Sequence, residues 1–261
     1  MKLFGKRILE SLWLLVAVNF ICFLLSMPVL VWFYVRLNLL FSAALTVQVT
    51  DFFPGISYFS VFLLRLPAPA YYLLLTVTLP LLGPAAMGLA CVLRYVAWEA
   101  SPVFSVFWRG LRTNVKQGLL FGIADFAVTN ILAWSAFGMF SSDIPALSAM
   151  LAACRWLSLP ALFFCGLMRP YLYLIAVTVR QSAVRILKNA WLFAFLGLSR
   201  NAVSLLLCLC WWAFTVTFVP VVSLVALPFI TYTFTGLLSV RCCFPPVQAR
   251  IIEPAQKKEE A

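Results

Sequence analysis

The stretch GPAAMGLACVLRYVAWEASPVFSVFWRGLRTNVKQG, from Gly83 to Gly118, decides the fold class of this chain. It begins as an apolar helix with a small-residue face, which lets a neighbouring helix approach closely. Pro84 is tolerated in such a helix because neighbouring helices in a membrane bundle satisfy the freed carbonyl groups. The stretch ends in a basic, aromatic helix, which Ser101 and Pro102 can start as N-cap and first residue. An apolar helix followed by an amphipathic one indicates a helical membrane protein.

The composition of the whole chain agrees with this class. Of its 261 residues, 64% are hydrophobic and 10% are charged, whereas soluble domains carry about 25% charged residues. The chain has no histidine, and its eight cysteines show no Cys-x-x-Cys spacing. The sequence therefore lacks the commonest general base and any zinc-site pattern. We expect no enzymatic activity, no catalytic or metal-binding residues and no cofactor.

Apolar runs of the length that a membrane span needs, about 20 residues, predict six spans. The uncharged stretch 202–240 would form a helix about twice as long as the hydrocarbon layer is thick, so it must contain two of them. We expect an all-α transmembrane bundle over 1–241 and a disordered polar tail over 242–261. The predicted spans cover about residues 11–34, 71–93, 119–140, 156–179, 202–220 and 223–240.

Residues 35–70 fit a span poorly, because charged residues and prolines interrupt their apolar runs. We interpret them as an external excursion of short helices along the membrane surface. An extra hairpin of two spans is the alternative interpretation.

Two basic connectors, about 102–117 and 182–198, are predicted to form amphipathic helices in the membrane interface. Each joins two spans, which indicates a faint internal repeat. A basic, aromatic helix can also bind nucleic acid, but spans on both sides of each connector favour lipid. The cations expected to contact lipid headgroups or a docked partner are Arg94, Arg109, Arg112, Lys116, Arg185 and Lys188.

Lysine and arginine concentrate on one side of the six-span topology. They precede the first span, follow the sixth, and occupy both basic connectors. The positive-inside rule therefore predicts that both termini lie in the cytoplasm, and we expect the protein to lie in the plasma membrane. Orientation and contact with anionic lipid account for the net charge of +11, so no nucleic-acid partner is needed to explain it.

Two charged residues fall inside predicted spans, where charge is costly and usually paired or functional. Asp125 in the third span and Arg169 in the fourth lie at similar depths, so we expect them to form an ion pair. The pair either locks two helices together or contacts a solute. Asn19 and Asn130, also within spans, are expected to make hydrogen bonds between helices.

The segments GPAAMGLACVLR, FSVFWRGLRTNVKQG and VRQSAVRILKNAWLFA, in this order, resemble the YesL-like family of bacterial membrane proteins. The resemblance covers roughly spans one to five. Some members lie beside carbohydrate-uptake and polysaccharide-degradation systems, which implies an accessory role with a sugar ABC-transporter permease or other membrane subunits. The proline-broken spans and intramembrane charges favour an alternative, a small-solute transporter. A homo-oligomer is compatible with both interpretations.

Overall fold

A computed structural model of the chain shows a bundle of α-helices. It describes residues 8, 10–45, 68–99, 104–137, 145–179, 181–217 and 225–253, and these ranges contain no β-strand. Six helical stretches are long and apolar enough to cross a membrane, which confirms the predicted all-α, six-span class. These candidate spans are Leu12–Trp32, Pro69–Ala97, Val115–Ala136, Ser148–Thr178, Leu198–Thr215 and Leu227–Ile252.

The described part of the chain contains eight α-helices and three short π-helical segments. Three π-helical segments, Tyr95–Glu99, Leu227–Thr231 and Gln248–Ile252, continue or precede α-helices. The α-helices are α1 (Leu12–Leu45), α2 (Ala68–Arg94), α3 (Phe104–Thr113), α4 (Val115–Phe137), α5 (Pro145–Thr178), α6 (Ala183–Leu196), α7 (Leu198–Thr217) and α8 (Tyr232–Val247).

Helix α2 is central, and it contacts α1, α3, α4, α5 and α8. Its small residues explain this position, because they let backbones come close. Gly83 packs against α4 between Gly118 and Gly122, where an added Cβ would overlap the Gly118 carbonyl group. Further along α2, an added Cβ on Gly88 would lie 2.8 Å from the ring of Phe107 in α3.

Helix α3 differs from the interfacial helix predicted over 102–117. It ends at Thr113, the chain turns at Asn114, and α4 begins at Val115. Part of its apolar surface faces protein: Phe107 is fully buried against α2, and Gly110 packs on the same helix, whereas Phe104 and Trp108 are exposed. Gly88 and Gly110 have no side chains, so α3 can pack closely along α2. A larger side chain at either position would hold the two helices apart.

Helix α6, which lies within the interfacial helix predicted over 182–198, folds back along α5 in the same way. Phe193 stacks on Tyr171 of α5 with 5.8 Å between ring centroids, and Ala190 is fully buried. On the other side of the helix, Val184 and Trp191 are exposed. Helix α6 therefore has one apolar face on protein and another free to face lipid.

The structure also corrects the ends of two predicted regions. Residues 35–45 continue α1 and residues 68–70 begin α2, so these parts of the external excursion predicted over 35–70 belong to long helices and not to separate short ones. Its central part, 46–67, lies outside the described residues. The tail predicted to be disordered from residue 242 is helical as far as residue 253, because α8 continues through Pro245 and Pro246 into the segment Gln248–Ile252.

Candidate functional site

The structure brings Asp125 of α4 and Arg169 of α5 into direct contact. Arg169 Nε lies 2.8 Å from Asp125 Oδ2, and its Nη2 donates to Asp125 Oδ1 at 2.9 Å. Nη2 also donates to the Thr129 hydroxyl, one turn along α4, at 2.8 Å. The guanidinium group thus bridges two helices through a charged pair and a hydroxyl group.

This ion pair lies deep in the region that the candidate spans define. At about 1.5 Å per residue, Asp125 is roughly 15 Å from either end of Val115–Ala136, and Arg169 is roughly 14 Å from Thr178. The side chains are nevertheless 29% and 43% exposed on the surface of the chain. Charge at the middle of a bilayer is costly when hydrocarbon surrounds it. Contact with a partner protein, water or a solute would therefore stabilise this pair.

The two predicted interhelical asparagines behave differently. Asn19 of α1 is fully buried; its Nδ2 donates to the Leu227 carbonyl oxygen, and its Oδ1 accepts from the Thr233 backbone N–H, both at 2.9 Å. It thereby satisfies backbone groups of the π-helical segment Leu227–Thr231 and of the start of α8. Asn130 instead donates to the Phe126 carbonyl oxygen of its own helix at 2.9 Å. Among the described residues it makes no interhelical hydrogen bond, because its own helix already offers that carbonyl group.

The predicted basic surface is largely present, with one exception. Arg109, Arg112, Lys116, Arg185 and Lys188 are all exposed. Arg94 is only half-exposed: its Nη1 donates to the Val177 carbonyl oxygen at 3.3 Å, and its guanidinium lies over the Tyr95 ring. A cation is favourable at the carboxyl end of a helix, so Arg94 binds the end of α5.

A cavity of about 440 Å³ lies between α2, α5, α7 and α8. Its wall is mostly apolar, with Leu89 and Leu167 among its lining residues. Arg169 and Tyr173 also line it, and Ser204 and Ser239 contribute hydroxyl groups. A mostly apolar cavity with a few convergent polar groups is the usual form of a small-molecule site.

Sequence reasoning missed one buried polar contact. The Tyr171 hydroxyl donates to Asn201 Oδ1 at 2.9 Å, and Asn201 Nδ2 donates to the carbonyl oxygens of Phe193 and Ala194. This network holds α5 to the corner between α6 and α7. The available signal was an asparagine at the start of a long apolar run, whereas Asn19 lies inside one.

Residues suited to metal binding do not gather in the part of the chain that the structure describes: it contains no group of three or more Cys, Asp or Glu side chains placed to hold a metal ion. The cysteines are all free thiols.

The six apolar spans and the helical bundle define this chain as a multi-pass integral membrane protein. Comparison with known proteins adds no family: no family model, no curated protein and no solved structure matches it.

Proposed function

We propose that the protein is a non-enzymatic subunit that assembles with another integral membrane protein in a bacterial plasma membrane. The resemblance to YesL-like proteins supports a carbohydrate-uptake or cell-envelope system, with a sugar ABC-transporter permease as the partner. The distribution of lysine and arginine supports cytoplasmic termini.

The observation that carries this proposal is the exposure of the Asp125–Arg169 pair at mid-membrane depth. An ion pair facing hydrocarbon retains much of the cost of removing its charges from water. A polar helix of a partner lowers this cost by covering the pair and supplying further hydrogen bonds. The exposed surface of α4 and α5 around Asp125 and Arg169 is therefore the proposed assembly surface.

Site-specific photo-crosslinking in native membranes tests the proposal. A photoreactive residue at Val128, which is exposed beside Thr129, is compared with one at Val203, which is exposed on α7. We expect a discrete crosslinked product with a second membrane protein from position 128, identified by mass spectrometry, and none from position 203. Crosslinks from position 128 to lipid alone, or to a second copy of this chain, would contradict the proposal.

The cavity between α2, α5, α7 and α8 favours a second candidate function, small-solute transport. Ala86 lines this cavity, so Ala86→Phe should fill part of it, whereas Val203→Phe adds the same ring to an exposed position. The assay measures uptake of radiolabelled maltose into proteoliposomes. Uptake that Ala86→Phe abolishes and Val203→Phe retains would support transport over assembly. Equal uptake in protein-free liposomes would exclude maltose transport.

A further inference from the structure

A second concave surface lies at the end of the bundle, between the α3–α4 corner and the α5–α6 connection. This groove has a volume of about 710 Å³ and is distinct from the mid-membrane ion pair and from the cavity. Its lining residues are Arg112, Thr113, Asn114, Val115, Lys116, Gln117, Ala176 and Gln181.

Side-chain amides hold the two sides of the groove together. Gln117 Nε2 at the start of α4 donates to the Gln181 carbonyl oxygen at 2.9 Å. Asn189 Nδ2 of α6 donates to Gln181 Oε1 at 3.0 Å. Gln181 is thus held by α4 and by α6. These hydrogen bonds connect the two basic connectors beside the groove.

The charge of the groove has one sign. Arg112 and Lys116 are exposed cations on its wall, and among the described residues no carboxylate lines it. Its other polar lining side chains are neutral amides and one hydroxyl group. This differs from Arg169, which already has Asp125 beside it. A guanidinium and an ammonium group with neighbouring amides suit a phosphate group.

The position of the groove favours a phosphate that belongs to a lipid. Lys116 lies in the first turn of the span Val115–Ala136, and Ala176 lies in the last turn of Ser148–Thr178. The ends of spans meet the bilayer where headgroups lie, and basic pockets between spans bind anionic headgroups.

The second connector provides an internal comparison. An offset of 83 residues relates Gly83 to Gly166, Asn114 to Gly197 and Gly122 to Leu205, and the contact of Gly83 with Gly122 corresponds to that of Gly166 with Leu205. By the same offset, Arg112 corresponds to Phe195 and Lys116 to Ser199. The two equivalent positions of the second corner therefore carry no cation, although the exposed Arg200 follows Ser199 directly.

We propose that this groove binds the phosphate headgroup of an anionic phospholipid, with Arg112 and Lys116 as its cationic ligands and Gln117 as a neutral donor. The site is independent of the proposed assembly surface. It would attach the protein to anionic lipid at a defined position between the two connectors.

Native mass spectrometry of the full-length protein, released from nanodiscs that mix phosphatidylcholine and phosphatidylglycerol, tests this site. The double variant Arg112→Gln/Lys116→Gln is compared with Arg200→Gln/Arg250→Gln, which removes the same charge from two exposed positions outside the groove. We expect the first variant to retain phosphatidylglycerol about tenfold less than the unmodified protein. The second should retain it almost unchanged.

Three outcomes would overturn the proposal. Equal losses in both double variants would show a general surface-charge effect, and unchanged retention in the first would show that the groove binds no headgroup. A further arm adds inorganic phosphate. Displacement of phosphatidylglycerol by phosphate at concentrations where chloride has no effect would assign the groove to free phosphate. Thermal unfolding of both variants controls for misfolding.

Discussion

Gly83 of α2 and Gly122 of α4 lie in backbone contact, so that a Cβ on Gly122 would be 2.7 Å from the Gly83 Cα. Gly118, one turn before Gly122, lies against the neighbouring Pro84, where its own Cβ would be 2.8 Å from the proline Cα. The spacing of the two α4 glycines is the small-xxx-small pattern of closely packed membrane helices. This contact makes α2 and α4 a tight antiparallel pair.

Gly83→Ala should destabilise the bundle, because its methyl group meets backbone atoms that cannot rotate away. Overpacking of this kind costs about 1–3 kcal/mol. Gly166→Ala is the matched control, since its Cβ would lie 3.1 Å from the end of the flexible Leu205 side chain. Thermal unfolding in mild detergent should show a lower midpoint for Gly83→Ala and little change for Gly166→Ala. Similar midpoints for the two variants would contradict this account.

The helix pairs α2–α3 and α5–α6 place large and small residues in opposite ways at equivalent positions. In the first unit, Gly88 on α2 accommodates Phe107 on α3. At the offset of 83 residues, Tyr171 on α5 corresponds to Gly88, and the buried Ala190 on α6 corresponds to Phe107. The large side chain lies on the connector in one unit and on the long helix in the other. This exchange, with the equivalent glycines, supports the internal repeat that the sequence only faintly indicates.

Phe107→Ala should lower stability strongly, because it empties the space between α2 and α3. Truncation of a buried phenylalanine costs about 3–5 kcal/mol. Phe104→Ala, on the same helix but 39% exposed, should cost much less. Thermal unfolding of both variants would measure the difference. A Phe104→Ala effect as large as that of Phe107→Ala would show that α3 turns a different face toward α2.

Several features follow from sequence for clear physical reasons. Span number follows from apolar length, since only six stretches of described helix are long and apolar enough to cross. The contact between Asp125 and Arg169 follows from opposite charges at similar depths in neighbouring spans. The depth of a residue in a span can be counted along the helix, so such pairs are accessible to sequence reasoning.

Other features depend on contacts that periodicity does not specify. The apolar face of α3 is visible in the sequence, but the pattern does not say whether lipid or α2 covers it. Arg94 looks like a headgroup ligand until the end of α5 is placed beside it. Pro245 and Pro246 suggest the end of a helix, yet α8 continues through them.

Asn19→Leu should destabilise the bundle, because it removes the hydrogen-bond partners of Leu227 and Thr233 from a buried site. An unsatisfied buried polar group costs about 1–3 kcal/mol. Asn130→Leu is the control, since Asn130 bonds only within its own helix among the described residues, and its effect should stay within about 0.5 kcal/mol. Unfolding midpoints in the same detergent provide the comparison. If the two variants lose equal stability, Asn19 does not support the π-helical segment as described.

The contributions of Asp125 and Arg169 to stability should depend strongly on each other. Asp125→Leu leaves the guanidinium unpaired and should cost up to about 3 kcal/mol, the order of the penalty for a charge at mid-membrane. The double variant Asp125→Leu/Arg169→Met, which removes both charges, should be more stable than Asp125→Leu alone. A thermodynamic cycle of unfolding midpoints measures this coupling. Strictly additive effects would indicate that the two side chains do not interact in the membrane.

The orientation of the bundle in the membrane can be tested with fusion proteins. If the cations of the α3–α4 corner lie in the cytoplasm, the carboxyl terminus after the sixth span lies there too, and the segment 138–144 lies outside. Green fluorescent protein fused after Ala261 should therefore fluoresce, whereas alkaline phosphatase fused at the same place should be inactive. An epitope inserted between Ser142 and Asp143 should bind antibody on spheroplasts without permeabilisation. Active phosphatase at the carboxyl terminus would reverse the orientation and move the basic groove, with its proposed headgroup, to the outer leaflet.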